Sequence, residues 1–96
     1  MNNKFEIKKE RIIDKSEIDS EGMYEYYYEY DKYTFIFERV TYIVRHYIED
    51  DNKAKLLSKI IEGRIHTIDK EDYNSDCFIE ISKYLMKCEG VILYTI

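Results

Sequence analysis

Apolar and polar positions alternate from the start of the chain. Phe5 and Ile7 are separated by charged neighbours and lead to Ile12-Ile13, a period of two that predicts a first strand with an irregularity near Lys8-Lys9. Residues 14–22 are polar and acidic and read as a loop. Residues 23–48 are dense in Tyr, Phe, Ile, Val and Thr, the side chains that suit a pleated, half-buried surface. Asp31-Lys32 offers a turn between strands over 24–30 and 33–38, and a break near Arg39-Val40 opens another strand ending at Ile48. The alternative is one long hairpin, and both give an antiparallel meander.

The period then changes. Glu49-Asp50-Asp51 supplies carboxylates where a helix would start, and Ala54, Leu56, Leu57, Ile60 and Ile61 fall on one side of that helix with Gly63 as its stop. Residues 64–68 alternate and read as a short strand or an extended link. Asp76 can cap a second helix with a core stripe of Cys77, Phe78, Ile81, Tyr84, Leu85 and Cys88. Gly90 suits its C-terminal end, and residues 91–96 read as a buried closing strand. The expected fold is α+β, a single compact domain over 1–96. It has an antiparallel meander of four to five strands packed on two helices, in the order ββββ-α-(β)-α-β.

Composition narrows this picture more than it extends it. The 96 residues suffice for one modest core, and 45% hydrophobic with 36% charged residues lies far from the disordered class. Eleven tyrosines, no proline and no tryptophan reflect a skewed, AT-rich coding bias. No apolar run approaches the roughly 18 residues of a membrane span, and the start, Met1-Asn-Asn-Lys4-Phe5, lacks the apolar core of a secretory signal. A cytoplasmic location without membrane contact is expected. Cys77 and Cys88 stand about 16 Å apart on one helix, too far for a disulfide, which needs Cα atoms within about 7 Å.

Catalytic signatures are missing from the sequence. The glycines are isolated, so no phosphate loop forms, and there is no HExxH, GxSxG or paired CxxC. The residues 69–80 fit a calcium loop in neither register: one puts Tyr73 and Asn74 where a ligand and glycine belong, the other Cys77 and Lys83. No catalytic residue, metal site or cofactor is expected. A net charge of −5 and scattered Lys/Arg, with only a weak Lys4, Lys8, Lys9, Arg11 cluster, disfavour direct nucleic-acid binding.

Charge is concentrated in one place. Residues 14–31 hold seven carboxylates against Lys15 alone, a balance of −6 that exceeds that of the whole chain. On a strand, Tyr24, Tyr26, Tyr28 and Tyr30 share one face, and Glu25, Tyr27, Glu29 and Asp31 share the other. The first set is expected to join the core with Tyr33, Phe35 and Phe37. The second, flanked by Glu21, faces water, either as a soluble sheet surface or as a partner-binding face in which tyrosine supplies rigid contact area and carboxylates steer a basic partner. Ile79 and Met86, seven residues apart on the last helix, form a small apolar patch if exposed and otherwise pack under the sheet.

These features favour a small acidic protein that binds and blocks a basic or nucleic-acid-binding protein. Immunity proteins for toxins and the anti-defence or anti-CRISPR proteins of phages and other mobile elements are inhibitors of this physical type, a comparison of size and charge without a shared motif. The alternatives are an enzyme or small-ligand protein whose site unites some of His46, Asp50, Asp51, His66, Asp69 and Asp72, and a structural subunit, for instance a homodimer, that buries the tyrosine face between copies.

Overall fold

The computed structural model describes residues 5–94. Lys4 and the final two residues of the expected closing strand lie outside that range. The fold is a mixed α+β arrangement, one six-stranded sheet with one helix on its face. Strands β1 (Glu6–Lys15), β2 (Tyr27–Ile36), β3 (Thr41–Tyr47), β4 (Lys53–Ile61) and β5 (Arg64–Thr67) form an antiparallel meander in sequence order. Helix α1 (Asp76–Tyr84) continues as a π turn over Leu85–Glu89, 14 residues in all, and leads to β6 (Ile92–Tyr94), which lies parallel to the first half of β4.

The structure departs from expectation in three places. The first helix does not exist: residues 53–61 form β4, with Ala54 and Leu56 alternating into the core and a two-residue turn at Glu62-Gly63 joining β4 to β5. Both turn residues have positive φ, 51° and 79°, the signature of a tight hairpin whose twist matches that of its strands. Nor is there a turn at Asp31-Lys32. β2 runs unbroken through it, so the long-hairpin alternative describes the structure, and β1 pairs with it over its whole length without irregularity at Lys8-Lys9.

The register between β3 and β4 slips once. Ile43 faces Ser58 while Val44 faces Leu56, which leaves Leu57 as an extra residue. The slip reverses the alternation within β4, so Lys59 points to the same side as Leu56. Tyr33, Phe35, Tyr42, Val44, Ala54 and Leu56 then make a floor on which Ile81 and Leu85 of the helix, and Val91 and Leu93 beyond it, are buried. Phe5 seals one flank, its ring 5.6 Å from Phe35 and 6.0 Å from Tyr84. Cys77 is half-buried as expected, but Cys88 is exposed, because the π turn rotates the last residues off the core stripe.

Ser75, rather than Asp76, caps the helix, its hydroxyl accepting from the Phe78 amide at 3.2 Å. The loop before it is pinned to the sheet by Asp72. That carboxylate accepts from Lys59 Nζ at 2.8 Å, Tyr42 Oη at 3.1 Å and the Asp69 amide at 2.9 Å. Burial works to raise the Asp72 pKa, yet the Asp69 amide, Lys59 and Tyr42 together outweigh it and hold the carboxyl below its usual range.

Candidate functional site

β1 and β2 are longer than the sheet they belong to. The β2–β3 ladder begins at Tyr30 opposite Tyr47, whereas β1 and β2 stay paired to Lys15 and Tyr27, and the pairing continues through the Ser16 amide to the Tyr26 carbonyl and a bridge between Ile18 and Tyr24. Residues 13–29 therefore project as a two-stranded arm. Its tip is closed by Asp19, whose Oδ1 accepts from the Glu21 and Met23 amides at 2.9 Å each, with Gly22 at a positive φ of 79°. Of residues 14–22, expected to be a loop, the first two belong to β1, Ile18 bridges to Tyr24 and 19–22 form the turn.

A continuous β2 changes which side chains share a face. Tyr27, Glu29 and Asp31 lie on the same side as Tyr33 and Phe35, the side the helix covers, while Tyr28 and Tyr30 lie on the other. The expected division, with the even-numbered tyrosines in the core, is corrected. It failed because the assumed turn at Asp31-Lys32 would have moved the alternation by one residue. Tyr30 is nevertheless buried, packed on the uncovered face between Tyr47, with ring centroids 5.1 Å apart, and the Arg45 guanidinium, 4.5 Å above its ring.

The residues expected to bind a partner separate into distinct settings. Glu21 and Glu25 are exposed on the arm, and Tyr27 is exposed with its hydroxyl donating to Glu29 Oε1 at 3.4 Å. Glu29 is half-buried, and Asp31 is only 7% exposed, so it does not face water as expected. Both are held by Arg11, whose Nε donates to Asp31 Oδ1 at 2.7 Å and whose Nη1 donates to Glu29 Oε2 at 2.6 Å. Next along the strand, Glu89 at the helix end accepts from Lys9 at 2.6 Å and from the Tyr33 hydroxyl at 3.1 Å, contacts that lower its pKa. Arg11 thus ties the root of the arm to the body. Ile79 and Met86 are both exposed on the helix, with Lys83 and Lys87 beside Met86, far from the arm's acidic residues in charge character.

The chain matches no family model, no curated protein and no solved structure. The candidate enzyme residues do not come together as one group: His46 contacts the Asp51 carbonyl at one end of β4, whereas Asp69 and Asp72 meet Lys59 at the other, where His66 pairs opposite Lys59 on β5 and is exposed. Among the described residues no group of three or more His, Cys, Asp or Glu could hold a metal ion, and no helix is long and apolar enough to cross a membrane.

The arm also carries more apolar surface than expected, since the sequence pattern places Tyr24, Tyr26 and Tyr28 in the core and Ile13, Ile18 and Met23 on no surface. Ile13, Ile18, Met23, Tyr24, Tyr26, Tyr27 and Tyr28 are all exposed. At its root, Tyr27, Tyr28, Glu29, Tyr47, Ile48 and Glu49 line a notch of about 110 Å³. Tyr47, Ile48 and Glu49 were read as a strand end and a helix start, and only the missing continuation of β3 turns them into a wall. A two-stranded ribbon with tyrosines on both faces and exposed carboxylates at Asp14, Glu17, Glu21 and Glu25 has the chemistry of a contact surface: rigid amphipathic rings for area, and charge for orientation.

Proposed function

We propose that this chain is a small protein-binding inhibitor that grips a basic partner protein, one that itself handles nucleic acid, through the acidic, tyrosine-rich arm. The observation that carries this reading is the arm itself. An isolated two-stranded ribbon is marginal in water, and this one leaves seven large apolar side chains exposed among carboxylates. Such a surface gains when a partner covers it. Carboxylates steer the encounter with a cationic surface, and the tyrosine rings supply the short-range contact. Occupying a nucleic-acid-binding surface in this way would block it, as immunity-type and anti-CRISPR-type inhibitors do. Asp31 is then a structural residue, and Glu21, Glu25, Tyr27 and the exposed edge of Glu29 are the contacts.

Affinity capture from the native host tests this with three baits: wild type, Glu21→Lys/Glu25→Lys, and Met86→Glu on the helix. A basic protein recovered with wild type and Met86→Glu but lost with the arm variant is the expected result. Equal recovery by the arm variant would remove the arm from the function, and selective loss with Met86→Glu would move the site to the Ile79–Met86 surface.

A further inference from the structure

The arm has two edges, and they differ. In an antiparallel strand the N–H and C=O of one residue face one neighbour and those of the next residue face the other. The Ser16 amide reaches the Tyr26 carbonyl, and the Phe37 amide reaches the Val40 carbonyl, so even positions of β2 bond to β1 and odd positions to β3. β3 ends at Tyr47 opposite Tyr30, and Ile48–Asp50 turns away as a single 3₁₀ turn. Tyr27 and Glu29 therefore direct their backbone groups along an edge that no strand of the chain occupies.

Edge strands that must stay unpaired are guarded by lysine, proline or bulges. The outer edge of β1 has such guards, with Lys8, Lys9, Arg11 and Lys15 spaced along it. The edge that runs from Glu25 into the start of β2 at Tyr27–Glu29 has no lysine, proline or bulge, and its only charges, Glu25 and Glu29, are acidic and would draw a cationic strand. It opens directly onto the notch, whose walls are the rings of Tyr27, Tyr28 and Tyr47, with Glu29 and Glu49 among its lining residues. Aromatic walls with carboxylates suit a lysine stem or a guanidinium plane.

Building on the basic-partner reading, we infer that this edge accepts an extended Lys- or Arg-bearing segment of the partner as an added β-strand. The segment takes the place that β3 vacates, bonds the amides and carbonyls of Tyr27 and Glu29, and seats one cationic side chain in the notch. Backbone pairing supplies the grip and the alternate side chains supply the selection.

The test uses a capped peptide alternating lysine with valine, titrated into the full chain and followed by amide NMR and hydrogen exchange. The Tyr27 and Glu29 amides are expected to shift and to gain protection. Tyr27→Pro deletes one outward N–H and leaves the β1 ladder intact, so it should bind at least tenfold more weakly than Tyr27→Ala, which keeps that N–H. Equal binding by these two variants, still abolished by Glu25→Lys, would overturn strand addition and leave the basic-partner reading standing. Protection of the edge without peptide, together with a dimer in light scattering, would assign it to a second copy and overturn the proposal. No change on adding peptide would also overturn it, whereas the fate of the arm as a whole rests on the capture experiment.

Discussion

Removing the Asp72 carboxylate would leave the Lys59 ammonium beneath the loop with only the more distant Asp69 carboxylate, 3.8 Å away, and it would leave the Tyr42 hydroxyl and the Asp69 amide without their acceptor. Breaking one partner of a buried pair costs about 3 kcal/mol, so Asp72→Ala should lose roughly that much in urea unfolding, with the arm's NMR signals unchanged. The same group sets a pH dependence. Its folded pKa lies below the unfolded value of about 3.9, so its contribution is present above that pH and is lost as pH falls through the folded value. Unfolding free energy should fall steeply below about pH 4, and Asp72→Asn should flatten that limb. At the alkaline end, burial first, and then the bond to Asp72, push Tyr42 up to about 12, so its contribution fades as pH rises through that value. None of this was legible beforehand. Asp72 stands in the acidic stretch 69–80, where no spacing sets one carboxylate apart from the others, and its partner Lys59 lies in a segment that reads as a helix.

At the scale of elements, the sequence misled at β4 for a definite reason. Ala54, Leu56-Leu57 and Ile60-Ile61 recur at helical spacing because the extra residue at Leu57 reverses a strand's alternation midway, and two half-strands in opposite phase imitate a period near 3.6. The Glu62-Gly63 pair held the contrary signal, since a glycine preceded by a polar residue between apolar runs is a hairpin mark as much as a helix stop. Glu62 occupies the left-handed region at φ 51°, which asparagine tolerates better. Glu62→Asn should therefore raise the melting temperature, and Gly63→Ala should lower stability by about 1–2 kcal/mol, both measurable by calorimetry. The second helix, its glycine end and the strand near the C-terminus were readable from the apolar stripe and Gly90, although the cap is Ser75 rather than Asp76 and Cys88 leaves the stripe. At Asp31-Lys32 turn chemistry suggested a break, but the Asp31 carboxylate found a cross-strand partner in Arg11, and the ladder ran on.

The whole molecule is drawn out by its arm. Its radius of gyration is 15.2 Å over extents of 53 × 30 × 24 Å, against roughly 12.5 Å for a compact chain of this length. Replacing residues 17–25 with Asn-Gly between the paired Ser16 and Tyr26 preserves the register of the remaining hairpin. Because the excised residues lie outside the core, stability should change by less than about 1 kcal/mol, while small-angle scattering reports a clear contraction. Partner capture should be lost with it. The acidic bias of residues 14–31 was legible in composition, whereas their projection was not, because nothing local announces that β3 stops short. Arg11 grips Glu29 and Asp31 where the ribbon passes from two strands to three, and its side chain is half in solvent. Ionic strength screens such a clasp. Salt would then govern how stiffly the arm is held as well as how strongly it attracts, and a limber arm searches more orientations before it engages.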